Sequence, residues 1–326
     1  MIRRSCNKGI LSAIGRTPLI KLQKVIPDHR FHLYAKLEAL NPGGSMKDRS
    51  ALRMIEHGME TGAIRAGTVV IESSSGNMGV GLAQACSYYG LRFICVVDAK
   101  TTEQNISILR AYGAEIDLIS KPHPATGEFL KARLDRVKEL VARIGNCFWP
   151  NQYANLYNPL GYHQLMHEIL SELGRVDYVF CATSTCGTMR GCAEYVKAKG
   201  LNTKIYAVDA RGSVIFGGAP GARLISGHGA AVRPALYQAG LADRYLLVSD
   251  LDCVVGCRRL VRSEAILSGG SSGAVISAVD QVKSEIRSGA VCVAILPDRG
   301  ERYLDTVYSD GWVAEHFGDV AHLYEA

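Results

Sequence analysis

Short apolar runs rich in Val, Ile and Leu alternate along the chain with longer amphipathic segments. The runs have the length of buried strands, and the longer segments have the apolar spacing that is typical of helices. The predicted strands are Val69–Ile71, Phe93–Val97, Ile116–Ile119, Tyr178–Cys181, Ile205–Val208, Tyr245–Val248 and Val291–Leu296. This alternation predicts an α/β protein whose sheets are mostly parallel and are covered by helices on both faces.

Glycines mark the points where the predicted helices end. A glycine shortly after a helical pattern is the usual left-handed cap. Predicted helices with such a cap are Met78–Tyr89, Thr102–Tyr112, Glu128–Ile144 and Met189–Ala198. Two stretches break the alternation: residues 147–160 mix Pro, Asn and aromatic residues, and residues 212–234 are rich in Gly and Pro. A long irregular stretch of this kind is usually a functional cover or a structural excursion.

The composition is that of an ordinary folded protein. The chain has 326 residues, enough for one large core or two moderate ones. Hydrophobic residues make up 48% and charged residues 21%, which excludes a disordered or fibrous chain. No apolar stretch approaches the ~20 residues that cross a membrane, and no export signal opens the sequence. We therefore expect a cytoplasmic protein without a membrane partner.

The net charge of +6 is moderate, and its distribution argues against a nucleic-acid partner. The basic residues are scattered, and the densest group, Arg258, Arg259 and Arg262, fits one face of a single helix. A duplex-binding surface needs clustered positive charge. A moderate surplus is also expected in a protein that binds small anions.

The cysteines are best explained as core residues. The chain has ten of them, no two form a CxxC pair, and most lie inside apolar patterns. The sequence therefore predicts neither a disulfide framework nor a metal site. Widespread motifs are also absent: there is no GxxxxGK[ST] loop and no HExxH. A GxGxxG turn after a strand is missing as well, so nicotinamide-dependent oxidoreduction is not favoured.

One lysine has an unusual position. Lys47 lies in the segment NPGGSMKDR, residues 41–49, where Pro-Gly-Gly predicts a tight turn and Ser45 begins a helical pattern. Lys47 would then lie in the first helical turn, where the helix dipole disfavours a charged ammonium. A neutral amine there would be a nucleophile. On spacing alone, an ordinary solvated surface lysine is the alternative.

Three turns of small residues accompany this lysine. Ser73–Asn77 and Ser184–Thr188 each follow a predicted strand, and Gly269–Gly273 opens a helix predicted over Ala274–Ile286. Such turns expose unpaired backbone N–H groups, which suit a phosphate or a carboxylate. Each turn alone has an explanation as an ordinary helix cap. Together with Lys47, they indicate a site for an anionic ligand.

These segments resemble a known family. NPGGSMKDR (41–49), SSSGNMG (73–79), GGSSG (269–273) and LPDRGERY (296–303) are similar, in that order, to motifs of the cysteine synthase/cystathionine β-synthase family of fold-type II pyridoxal-phosphate enzymes. The resemblance extends from about Ile14 to Tyr308. It implies a tryptophan synthase β-like fold of two domains, a smaller one at 47–150 and a larger, cofactor-binding one formed by 1–46 and 151–326. It also implies a homodimer.

The resemblance implies pyridoxal 5'-phosphate as cofactor. Lys47 would form a Schiff base with it, and Asn77 would bond to its phenolic oxygen. Ser271 would face the pyridine nitrogen, and a neutral serine there suits β-elimination better than transamination. The residues implied to bind the phosphate are Ser184, Thr185, Cys186, Gly187 and Thr188.

The resemblance also implies β-replacement on amino-acid substrates, with Lys47 removing the α-proton. The positions implied to hold the substrate α-carboxylate are Ser73, Ser74, Ser75 and Gln152. Ordinary cysteine synthases usually have Gly-Thr-Gly-Gly-Thr at 184–188 and Phe at the position of Tyr153. In this chain both the segment 184–188 and residue 153 differ. The chain is more similar to a branch of the family whose members join O-phosphoserine to the amine of glutamate in siderophore assembly.

That branch has a more anionic substrate pair, and the resemblance implies where the extra charge is bound. It places Tyr153 and Ser184 near the substrate, with Arg133 as a candidate partner for its added negative charge. Two alternatives stay open: a cysteine synthase that uses O-phosphoserine or O-acetylserine, and a non-catalytic relative with a binding or regulatory role. Residues 155–167 have no assigned contacts, and His228 is expected to be an ordinary loop histidine.

Overall fold

The computed structural model describes residues 6–27 and 29–324. Its strands are β1 Leu19–Leu22, β2 His32–Leu37, β3 Val69–Ser73, β4 Arg92–Asp98, β5 Glu115–Ile119, β6 Cys147–Phe148, β7 Tyr178–Ala182, β8 Lys204–Ala210, β9 Arg244–Val248 and β10 Val291–Leu296. Its helices are α1 Lys47–Glu60, α2 Asn77–Tyr89, α3 Glu103–Ala111, α4 Phe129–Ile144, α5 Tyr157–Leu160, α6 His163–Leu173, α7 Gly187–Ala198, α8 Asp250–Glu264, α9 Gly270–Val282 and α10 Asp310–Phe317. Every predicted strand and capped helix is present, and the α/β class is confirmed.

The chain forms two compact units. The first comprises the residues up to Ile14 together with Asn41–Gly161, and the second comprises Gly15–Leu40 together with the residues from Tyr162 onward. The predicted boundaries of a smaller domain at 47–150 stay a prediction. None of the helices in the described part of the chain has the length and apolar composition that a membrane span needs.

The first unit is built on a four-stranded parallel sheet with the order β5-β4-β3-β6. Consecutive residues of a strand point to opposite faces, so a fully apolar strand needs a cover on each side. In β3, Val70 packs in a core with residues of α1 and α2. Val69 and Ile71 pack on the opposite face, against Val137 and Leu140 of α4. Helices on both faces explain why the first three residues of β3, Val69–Ile71, are all apolar.

The second unit is built on a six-stranded sheet with the order β1-β2-β10-β7-β8-β9. All neighbours are parallel except β1 and β2. Its largest core joins the sheet to α8 and α9. Lys36 of β2 is only 1% exposed in this unit, and its ammonium lies 2.8 Å from a carboxylate oxygen of Glu168 on α6.

One helix begins earlier than the sequence indicates. The segment Gly269–Gly273 was expected to precede a helix at Ala274–Ile286, but α9 spans Gly270–Val282. Gly273 explains the difference, because its lack of a side chain lets α9 lie directly on α8. A Cβ at Gly273 would lie 2.0 Å from the carbonyl oxygen of Cys253. The helix is therefore favoured by packing rather than by the propensity of its first turn.

Replacing Gly273 by alanine is expected to destabilise the second unit. The added methyl group must push α9 away from α8, and overpacking of this kind costs roughly 1–3 kcal/mol in the free energy of unfolding. Thermal and urea unfolding measure the loss. Gly311→Ala is the matched control, since a Cβ there would meet no atom closer than 3.9 Å. Equal stability of the two variants would contradict the close contact.

Candidate functional site

Lys47 lies in the first turn of α1, as expected, although the helix begins at Lys47 itself rather than at Ser45. The turn folds over the next residue of the helix, since the backbone N–H of Gly43 donates to the Asp48 carboxylate at 2.5 Å. Lys47 is half-buried. Its ammonium makes no hydrogen bond or ion pair with any residue that the structure describes. An amine in this setting is available to bind a ligand.

Helix α2 lies close to the start of α1. Gly81 of α2 makes this possible, because a Cβ there would lie 3.3 Å from the carbonyl oxygen of Lys47. Asn77 is the first residue of α2, and Ser73–Ser75 precede it with Gly76 in between. The structure therefore places the predicted lysine near the α2 helix that the serine-rich turn opens.

The three serines of that turn differ in their surroundings. Ser73 is fully buried, and its hydroxyl has no hydrogen-bond partner among the described residues. The Ser74 hydroxyl accepts from the backbone N–H of Gly79 at 2.9 Å, so it caps the first turn of α2. Ser75 is half-buried, and its carbonyl accepts from Asn105 at 3.2 Å. The buried, unpartnered hydroxyl of Ser73 is thus available to a ligand.

Gln152 contacts the same turn. Its side-chain amide donates to the carbonyl oxygen of Ser73 at 2.9 Å. Its backbone N–H donates to the carboxylate of Glu72 at 3.1 Å. Residues 73 and 152, both predicted to hold a carboxylate, are therefore adjacent in the structure. Sequence analysis missed Glu72, although an acid at the end of an otherwise apolar strand was a usable signal.

Arg133 is buried and already has an anionic partner. Its guanidinium lies 3.0 Å from the carboxylate of Asp98. Tyr153 lies within electrostatic reach of both groups, and burial raises the pKa of its phenol above the usual value. The phenol therefore stays protonated at neutral pH and can donate a hydrogen bond. The assignment of Arg133 and Tyr153 to the substrate stays a prediction.

In the second unit, residues 184–188 connect β7 to α7. Cys186 has φ 66°, in the left-handed region that favours glycine, and it is followed by the first turn of α7. A glycine at this position would adopt the same turn without strain. Burial raises the pKa of the Cys186 thiol to about 12. The backbone N–H groups at the start of this twelve-residue helix form a site suited to a phosphate.

The irregular segment 212–234 packs on this turn. Gly229 donates its N–H to the carbonyl of Thr183 at 2.7 Å, and its own carbonyl accepts from the Ser184 hydroxyl at 3.1 Å. His228 lies in this irregular segment, as expected of a loop histidine, but it is only 3% exposed. Its Nε2 lies 3.4 Å from the Cys253 sulfur. Burial lowers the pKa of His228 to about 4, which keeps the imidazole neutral.

Ser271 lies in the first turn of α9 and is 1% exposed. Among the described residues, its hydroxyl has no side-chain hydrogen bond. A Cβ at Gly227 would lie 3.2 Å from that hydroxyl, so the irregular segment reaches both Ser271 and the 184–188 turn. In this unit the structure brings together all the residues predicted to bind the cofactor's phosphate and ring nitrogen.

The cysteines have the predicted core character. Cys147 is half-buried, and the other cysteines whose side chains the structure describes are buried as free thiols. Cys6 lies outside the described side chains. Burial raises the pKa of several thiols, such as Cys86 and Cys95, to about 12. These groups are therefore poor nucleophiles at neutral pH.

Comparison with known proteins gives one consistent result. The model of the family described as pyridoxal-phosphate dependent enzymes matches residues 10–298. An O-acetylserine dependent cystathionine beta-synthase from Helicobacter pylori has a TM-score of 0.86 and 32% identity, over 92% of this chain and 98% of the other. A hydrogen sulfide-producing enzyme from Fusobacterium nucleatum has a TM-score of 0.84 and 36% identity, over 90% of this chain and 99% of the other. A cysteine synthase from Entamoeba histolytica has a TM-score of 0.87 and 32% identity, over 94% of this chain and 92% of the other.

Proposed function

The chain belongs to the pyridoxal-phosphate dependent enzyme family, and we propose that it joins O-phospho-L-serine to L-glutamate by β-replacement. The products would be N-(2-amino-2-carboxyethyl)-L-glutamate, a siderophore precursor, and phosphate. The observation that carries this choice is a pair of hydroxyl side chains, Tyr153 and Ser184, at positions where ordinary cysteine synthases usually have other residues. Ser184 lies in the turn before α7, and the buried guanidinium of Arg133 lies within electrostatic reach of Tyr153.

The described residues fit pyridoxal phosphate. Lys47 has an ammonium without a partner among them, the turn at 184–188 leads into the N-terminus of α7, and the buried hydroxyl of Ser271 makes no competing hydrogen bond. When bound, the cofactor withdraws electrons from the substrate's α-carbon, which eases loss of the α-proton and of a group on Cβ. In this proposal Lys47 holds the cofactor, residues 184–188 bind its phosphate, and Ser271 faces its ring nitrogen.

The remaining residues bind and orient the substrate. Ser73–Ser75 and Gln152 hold the α-carboxylate, and the unpartnered Ser73 hydroxyl supports this role. The Lys47 amine accepts the α-proton, because it is the amine that substrate binding frees. Tyr153 donates from a neutral phenol to a phosphate or carboxylate oxygen. Arg133 supplies positive charge, although Asp98 already offsets part of it.

Glutamate-dependent release of phosphate tests this proposal. We expect purified holoenzyme to release phosphate from O-phosphoserine, with a rate that rises with glutamate and saturates. Mass spectrometry should find the condensation product in proportion to the phosphate. Release at the same rate without glutamate, or release without the product, would contradict the proposed second substrate.

Cysteine synthase activity is the second candidate, favoured by the solved structure of the Entamoeba histolytica cysteine synthase, which resembles this chain. A competition assay separates the two. Holoenzyme is given O-phosphoserine or O-acetylserine with glutamate and sulfide at equal concentration, and both products are quantified by mass spectrometry. A dominant condensation product supports the first proposal, and dominant cysteine supports the second.

The predicted homodimer belongs to the same proposal and is tested by sedimentation velocity.

A further inference from the structure

Glu72 is a fully buried acid that the proposed chemistry does not use. It is the fourth residue of β3 and comes directly before Ser73–Ser75. One carboxylate oxygen accepts from the backbone N–H of Ser73 at 2.8 Å and from the indole N–H of Trp149 at 3.2 Å. The other oxygen accepts from the backbone N–H of Gln152 at 3.1 Å. Three donors on two oxygens match an ionised carboxylate, which is an acceptor only.

These bonds connect two segments that are distant in sequence. Glu72 holds the backbone of residue 152, and the Gln152 side chain in turn donates to the carbonyl of Ser73. Asn158 donates to the Gln152 carbonyl at 2.7 Å from the other side. The end of β3 and the segment at 149–152 are thus joined by several hydrogen bonds, from both the backbone and the side chains of that segment. The side chains on either side of this connection are the ones proposed to hold the substrate carboxylate.

The charge of Glu72 is finely balanced. Burial raises its pKa to about 7, while its three hydrogen bonds and the charge of Arg133 on α4 lower it. Cys95 on β4 and Tyr153 also face the carboxyl group, and Asp98 neutralises part of the Arg133 charge. Protonation removes the negative charge, so the hydrogen bonds that this carboxylate accepts, including the one from the N–H of residue 152, become weaker. Acidification near neutrality would therefore loosen that segment.

We propose that Glu72 is a positioning residue whose ionised carboxylate fixes Gln152 against Ser73 and so shapes the site for the substrate α-carboxylate. This inference rests on the proposed role of Ser73–Ser75 and Gln152. Glu72 touches no reacting atom in this scheme. It acts through the segment at 149–152, and its protonation weakens substrate binding while the cofactor stays bound.

Tryptophan fluorescence tests the ionisation of Glu72 independently of activity. The chain has two tryptophans, at 149 and 312, so Trp312→Phe leaves only the indole that donates to Glu72. We expect the fluorescence of that holoenzyme to titrate near pH 7, and Glu72→Gln to remove the titration. Glu139→Gln is the matched control, because Glu139 is 67% exposed on α4 of the same unit. A flat profile with Glu72 intact would overturn the proposal.

Steady-state kinetics test the positioning role. In Glu72→Gln an uncharged amide replaces the carboxylate, and its nitrogen can accept from none of the three donors, so the connection to residue 152 is weakened. We expect the KM for the β-substituted serine to rise by at least about tenfold at pH 8, with kcat and cofactor content changed much less. The ratio of variant to wild-type KM should shrink as the pH falls below 7, because the same connection is then weakened in the wild type. Comparing the two enzymes at each pH removes the titration of the substrate itself.

The conservative variant separates positioning from folding. Glu72→Asp keeps the charge, so it should retain the fluorescence titration. Its KM should lie between the KM values of the wild type and Glu72→Gln. An unchanged KM in Glu72→Gln, or a loss of kcat and cofactor in both variants alike, would overturn the positioning role. The kinetics use whichever β-substituted serine turns over. If O-phosphoserine is not turned over but the Trp149 fluorescence still titrates, the proposed function is contradicted and the ionisation of Glu72 is still supported.

Discussion

Replacing Lys47 by alanine is expected to abolish β-replacement and the visible absorption of the holoenzyme. The amine is proposed both to hold the cofactor and to accept the α-proton, so one substitution removes two functions. Loss of a positioned base alone costs about 10²–10⁴ in rate. We therefore expect kcat/KM to fall by at least about 10³-fold. Absorption spectra and the phosphate-release assay measure the two effects on the same preparation.

An exposed lysine of the same unit is the control for this variant. Lys138 on α4 is 64% exposed, and among the described residues its ion pair is with Asp135 on its own helix. Lys138→Ala should keep both the colour and the activity. Circular dichroism should show that both variants are folded. A Lys47→Ala enzyme that keeps its activity without added amine would contradict the proposed role.

Replacing Lys36 by methionine is expected to cause the largest loss of stability. The ammonium is 1% exposed and lies 2.8 Å from Glu168, which is itself 9% exposed. It also donates to the carbonyl oxygen of Thr17. Removing one partner of a buried ion pair costs about 3–5 kcal/mol, because the other charge keeps its desolvation penalty. Urea unfolding of wild type and variant measures this difference in the free energy of unfolding.

Two comparisons make the test of Lys36 specific. Glu115 pairs with Arg92 on the surface, with side chains 50% and 55% exposed, so Glu115→Gln should cost less than about 1 kcal/mol. The double variant Lys36→Met/Glu168→Leu should be more stable than Lys36→Met alone, since no unpaired charge is then buried. A Lys36→Met protein as stable as Glu115→Gln would show that the buried pair does not hold this part of the sheet.

Much of the fold could be predicted because buried parallel strands leave a clear trace in sequence. Val291–Leu296 was predicted with its observed bounds, since a strand covered on both faces must be apolar throughout. Helix ends were equally clear. Gly90 adopts φ 65° directly after α2, a conformation that glycine accepts without strain. The start of α9 was missed because Gly-Ser-Ser-Gly has low helix propensity, and its contact with α8 cannot be seen locally.

The candidate site was predictable where its residues are contiguous. The turns at 73–77 and 184–188 lie at strand ends, as their small residues indicated. The acid at the end of an apolar strand was a signal for Glu72, but its role was not predictable, because its partners Trp149 and Gln152 are 77 and 80 residues away in sequence. His228 was missed for the same reason, since a Gly-His-Gly sequence has the composition of an exposed loop. In the structure its ring lies against Cys253, which follows 25 residues later.

Borohydride reduction of the holoenzyme tests the central claim most directly. Reduction fixes the cofactor to the amine that holds it, and peptide mapping by mass spectrometry then locates that amine. The account predicts a phosphopyridoxyl group on the peptide that contains Lys47, at close to one group per chain. Absence of the group, or its presence mainly on another lysine, would contradict the account.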